Sequence, residues 1–170
     1  AFDPSGNSTA GANGSVVVDL TPPNNPDPAY IVTDPLTGLS SQEPTVTVSW
    51  PLAQTEGGAS DALSGVDGYA YLFSQNPAGI PDHDRDLNTG ATTVTSDHLA
   101  DGNWYFHLSV VDKAGNWSAA YHSEAFIINA SKPATPHMQN ASVNSNSSIT
   151  VNWTDKSTNE DTFLVYRKLH

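Results

Sequence analysis

Apolar and polar residues alternate with a period of two along most of the chain, the pattern of strands with one buried face. Thr45-Val46-Thr47-Val48-Ser49-Trp50 puts Val46, Val48 and Trp50 on one side. Residues 66–74 do the same for Tyr69, Tyr71 and Phe73. The longest run, 103–112, aligns Trp104, Phe106, Leu108 and Val110, with Tyr105, His107 and Ser109 opposite. That parity makes His107 a solvent-side or sheet-packed residue. Shorter strands are predicted at 30–32, 91–95 and 125–129. No window of a dozen residues carries apolar positions at i, i+3, i+4 and i+7, so essentially no helix is expected. Six or seven strands in about 100 residues is the count of a two-sheet sandwich.

The pattern also repeats. Asp3-Pro4-Ser5-Gly6-Asn7 and Asp112-Lys113-Ala114-Gly115-Asn116 are two copies of one turn. An apolar run follows each (Val16-Val17-Val18-Asp19 and Phe126-Ile127-Ile128-Asn129), and then a proline break. A spacing of about 110 residues fits one small domain per repeat. Ser148-Ile149-Thr150-Val151-Asn152-Trp153 repeats the strand at 45–50, and 161–166 parallels 67–72. The organisation expected is the end of a preceding repeat at 1–20, a Pro-rich linker at 21–28, a complete unit at 29–130, and a linker with the start of another repeat at 131–170. The chain therefore reads as a window of a longer string, with any targeting segment upstream. Prolines 22, 23, 26 and 28 suit a semi-rigid hinge. Three strands at the C-terminal end cannot cover both faces of a sandwich and should be marginal alone. The expected core is Trp50, Tyr69, Tyr71, Trp104, Phe106, Leu108, Val110 and Trp153.

These residues resemble the immunoglobulin-like and fibronectin type III repeats of large secreted or surface-attached bacterial proteins. Trp50 and Trp153 stand where fibronectin type III domains end their second strand with Trp. The Trp104-Phe106-Leu108-Val110 ladder is similar to that family's long strand. Ser64-Gly65-Val66-Asp67-Gly68-Tyr69, Asp101-Gly102-Asn103-Trp104 and the turn from Asp112 to Ser118 resemble the bacterial version. The resemblance implies an all-β, immunoglobulin-like sandwich in a tandem array, located outside the cell. It also implies a spacer, stalk or adhesive role beside other domains of the same polypeptide. These motifs specify fold more than function, because they are mostly core and turn residues.

Charge narrows the partners. Eighteen acidic against six basic residues give a net charge of −12. Nucleic acid is a poor partner, since phosphate recognition needs a basic footprint. No apolar stretch approaches membrane-spanning length. No cysteine is present, which excludes disulfides, thiol nucleophiles and thiolate metal sites.

Few residues are placed for chemistry. Asp82, Asp84 and Asp86 alternate like the opening of a calcium loop, but Leu87 and Thr93 stand where such a loop needs Gly and Glu. The competing reading is a solvated acidic loop. Asp19, Asp27, Asp34 and Asp112 lie near domain junctions, where carboxylates can share calcium; turn chemistry is the plainer account. Tyr105, Trp117 and Tyr121 are candidates for stacking on sugar rings, against the alternative that they cover the sheet and plug its end. Six scattered histidines form no ligand spacing, and no nucleophile elbow or paired Glu appears. The expectation is a non-enzymatic extracellular module without an obligate cofactor. The alternatives are a glycan- or protein-binding module that uses calcium, and a subunit completed by strand exchange with another copy.

Overall fold

The structure, a computed structural model, describes residues 18–146, 148–158, 160 and 162–166. It is all-β. The strands are β1 (Val32–Asp34), β2 (Ser40–Ser41), β3 (Thr47–Ser49), β4 (Val66–Ser74), β5 (Leu87–Asn88), β6 (Thr93–Thr95), β7 (Gly102–Asp112), β8 (Tyr121–His122), β9 (Phe126–Ile128), β10 (His137–Ser145) and β11 (Ser148–Thr154). One 3-10 turn, Pro28–Tyr30, precedes β1. The turn at Gly6 and the run Val16-Val17 fall outside the described residues.

Two sheets face each other. One has the order β1-β3-β6; the other runs β2-β9-β7-β4-β5, with β8 alongside β7. Their inward residues form one core: Val46, Val48, Trp50 and Val94 from the first sheet, Tyr69, Phe106, Leu108, Val110, Phe126 and Ile128 from the second. Trp50 lies at the centre, edge-on to Tyr69 at 5.4 Å and stacked on Phe106 at 6.1 Å. Tyr71 and Trp104 pack at the margin, partly buried. Alternation fails on β7, where residues 106–112 are buried on both faces. Gly79 and Ser74 lie against the His107 ring and His122 of β8 pairs beside it, so His107 is fully buried rather than solvent-side.

The expected strand at 30–32 is shifted to Val32–Asp34 because the prolines favour a turn before it. Strands β2, β5, β8 and β10 have no clear alternation and were not expected. Residues 162–166 were expected to be a third C-terminal strand; they are described without strand structure. The hairpin β10–β11 is a separate two-stranded sheet. Trp153 is not a core residue: it is 39% exposed, with its ring against Phe163 at 5.8 Å. Among the described residues, the hairpin forms no sheet with other strands.

The Pro-rich segment does not hang free. Asn24 and Ser60 exchange backbone hydrogen bonds of 2.8 and 3.2 Å, and the Asp27 amide donates to the Gly57 carbonyl at 2.9 Å. Asn25 bonds the Ala119 carbonyl through Nδ2 and accepts from Ser118 Oγ, at 2.7 and 2.8 Å. Pro26 is fully buried. Bending between 23 and 27 would break this set of bonds, so these residues belong to the domain they precede. At the other end, Asp101 Oδ1 accepts the amides of Ala130 and Ser131 at 2.8 and 3.0 Å.

Candidate functional site

The most charged convergence sits where the incoming segment meets the sandwich. Asp112 ends β7 and folds the following turn around itself. Its Oδ1 accepts the amides of Ala114 and Asn116, both at 2.8 Å, and Oδ2 accepts Asn116 Nδ2 at 2.8 Å. Gly115 permits the turn with φ of 91°, a left-handed conformation costly for other residues. Asp61, in the loop between β3 and β4, does the same for 63–65. Its Oδ2 accepts the amides of Leu63, Ser64 and Gly65 at 3.0, 2.8 and 2.7 Å. Asp19 joins both turns. Its Oδ2 accepts the Ser64 amide at 3.1 Å, and its carbonyl accepts Asn116 Nδ2 at 3.2 Å.

One oxygen from each of Asp19, Asp61 and Asp112 lies within 4.8 Å of the others. Asp112 and Asp61 are buried, and Asp19 is half-buried. Among the described residues, no cationic side chain forms an ion pair with them; Arg85 with Asp67, at 2.7 Å, is the one salt bridge. The Gly65 amide holds the Asp61 carboxyl below its ordinary pKa, with burial opposing and the Ser64 and Leu63 amides reinforcing. The three carboxyl groups thus lie beside each other without a cationic partner. Hard, oxygen-only donors of this kind suit calcium, which takes roughly six to eight oxygens. The three carboxylates and nearby backbone carbonyls would supply part of that shell.

The other flagged residues are dispersed. Asp82, Asp84 and Asp86 do not converge. Asp82 Oδ1 accepts the Asp84 amide at 3.4 Å, and Asp86 Oδ2 turns away to accept the Tyr71 amide at 2.9 Å. Asp27 caps the 3-10 turn by accepting the Ala29 amide at 2.9 Å, and Asp34 closes β1. The aromatic candidates share no platform. Trp117 stacks on His83 at 5.0 Å, nearly parallel. Tyr121 packs against the core, and burial raises its phenol pKa. Tyr105 is paired with Ser74 in the sheet.

Two groups escaped the sequence reading. Asp61 is one, although Asp61 followed by Ser64-Gly65 has the same logic as Asp112 followed by Gly115-Asn116: a carboxylate ahead of a tight turn. The other is an imidazole pair. His107 Nδ1 lies 2.8 Å from His122 Nδ1, and His107 Nε2 lies 3.1 Å from Ser74 Oγ. Burial, then the charge of His122, lowers the His107 pKa. Fifteen residues separate the two histidines, so only the β7–β8 register brings them together.

No protein-family model, no curated protein and no solved structure matches the chain.

Proposed function

We propose that this chain is a non-catalytic spacer or adhesion module of a multidomain protein that works outside the cell. One observation carries the reading: the segment entering the sandwich is bonded to it from Asp19 to Asp27. A joint of this kind holds a repeat at a fixed attitude to what precedes it, which is what a stalk needs. The immunoglobulin-like and fibronectin type III resemblance points the same way. Nitrogen-15 relaxation tests the joint: residues 19–27 should tumble with the sandwich. Order parameters below about 0.6 there, the range of flexible backbone, would overturn it. Impermeant labelling of the parent protein on intact cells tests the location, with protection from label counting against it.

A second reading, calcium dependence, is favoured by the three carboxylates. Added calcium should raise the melting temperature, because a ligand selective for the folded state stabilises it. Asp61→Asn should abolish the response and Asp84→Asn should leave it intact. The opposite pattern would move the ion to the acidic loop at 82–86, and no response from the parent chain would remove calcium altogether. Completion by strand exchange between copies has less support. Neither 1–20 nor 134–170 contains a counterpart of β7, the strand that supplies Phe106, Leu108 and Val110 to the core. Sugar binding through Tyr105, Trp117 and Tyr121 has no shared face to use.

A further inference from the structure

The edge of the larger sheet is open along half of β4. Strand β5 pairs only with Gly68 and Tyr69. Beyond them, the direction of the backbone groups follows from the hydrogen bonds. The Tyr71 amide donates to Asp86 Oδ2, away from β7. On the facing strand, Phe106 sends its amide to Ser123 Oγ and its carbonyl to the Ser123 amide, both at 2.9 Å and both away from β4. Tyr71–Leu108 and Phe73–Phe106 are therefore non-hydrogen-bonded pairs of the antiparallel ladder. The Tyr71 carbonyl and both backbone groups of Phe73 point outward. Among the described residues, no strand lies there to meet them.

A groove of about 330 Å³ runs along this edge, between the two sheets. Tyr71, Phe73 and Leu99 give it an apolar floor that is continuous with the core. Its charged lining is Asp86 and Asp97, both exposed, with no Lys, Arg or His among the lining residues. Unpaired strand edges recruit extended chains, with backbone bonds giving affinity and side-chain pockets giving selectivity. From these features we infer that the β4 edge at Tyr71–Phe73 is a docking site for an extended, basic segment of another protein. Charge complementarity selects the sign: two carboxylates without a counter-cation, on a chain of net charge −12, repel an acidic strand and attract a lysine- or arginine-bearing one. The incoming strand bonds the Phe73 amide and carbonyl, places alternate apolar side chains over Tyr71 and Leu99, and points its cations at Asp86 and Asp97. The Tyr71 amide is already satisfied by Asp86, which fixes where pairing begins. This inference does not depend on the spacer reading.

The test uses the full chain, labelled with nitrogen-15, and an octapeptide of alternating lysine and valine. The Phe73 amide should shift and its exchange with solvent should slow. A glutamate–valine octapeptide and a fully N-methylated lysine–valine octapeptide should both leave it unmoved. Added salt should weaken binding. Asp97→Asn, at an exposed position, should weaken it by about twofold, and the Asp86→Asn/Asp97→Asn pair by about fivefold. The inference fails if the Phe73 amide stays unmoved by the basic peptide, or if acidic and basic peptides bind equally. It also fails if N-methylation is tolerated, or if only neutral oligosaccharides shift these resonances. Self-association that blocks the peptide would replace the foreign strand by a second copy and overturn the partner named.

Discussion

Trp50 and Trp153 close two stretches of similar sequence, Thr45–Trp50 and Ser148–Trp153, yet they meet opposite fates. Each has its first aromatic neighbour in place: Tyr69 against Trp50 at 5.4 Å and 61°, Phe163 against Trp153 at 5.8 Å and 50°. Phe163 occupies in its segment the position of Tyr69 in the central unit. The second neighbour separates them. Phe106, from β7, closes over Trp50 and leaves it 3% exposed; among the described residues no second aromatic ring stacks on Trp153, which is 39% exposed. Local sequence thus sets the strand, the face and the first contact. Burial waits for a strand that arrives from far along the chain.

That contrast gives the largest expected effect. Trp50→Ala should cost the central unit about 3–5 kcal/mol, the usual range for truncating a buried aromatic. Trp153→Ala should leave the denaturation midpoint of that unit unchanged. Equal losses in urea titrations would mean that the two segments share a core. A smaller effect separates the turns. Asp112→Ala strands three donors at a buried turn and should cost about 1–3 kcal/mol. Asp155, exposed and accepting the Ser157 amide at 3.1 Å, should tolerate the same change within about 0.5 kcal/mol. A Tm series of both variants decides it.

The smallest effect is pH-dependent. His107 is held below its ordinary pKa of 6.5 by burial and by His122. The unfolded chain therefore binds this proton more readily, and stability falls as pH drops below about 6.5 towards the folded-state pKa. Among the described residues, no carboxylate bonds either ring. Tyr105 and Ser109 share the His107 face on β7, β4 presents Ser74, β8 presents His122, and Gly79 packs against the ring. His107→Gln should flatten that part of the stability–pH profile. An unchanged slope would assign the titration elsewhere.

Much of the fold was legible because the larger strands are amphipathic. Val66–Ser74 is found at the expected bounds, and Gly102–Asp112 differs from expectation by one residue. What periodicity could not show was the covering of the second face. His107 and Ser109 look polar and outward, yet both are buried. Two-residue strands such as β2 and β5 carry no periodic signal; they exist because an already formed strand offers them an edge. The candidate site was half legible. Asp19 and Asp112 stood out by position, but Asp61 joins them through a loop whose path no local pattern fixes.

Strand β2, early in the sandwich, and β9, the last strand of its larger sheet in chain order, run parallel, Ser40 beside Ile127 and Ser41 beside Ile128. The contact is extended by the Gly38 amide on the Ala125 carbonyl and the Asn129 amide on the Ser41 carbonyl, each 2.8 Å. Stretching the chain from its two ends pulls these neighbours in opposite directions along their length. The bonds are then sheared side by side and must yield together, instead of opening one after another like a zip. Single-molecule pulling should read this as one high rupture force per unit, reduced by Asn129→Pro, which deletes one of the sheared amides.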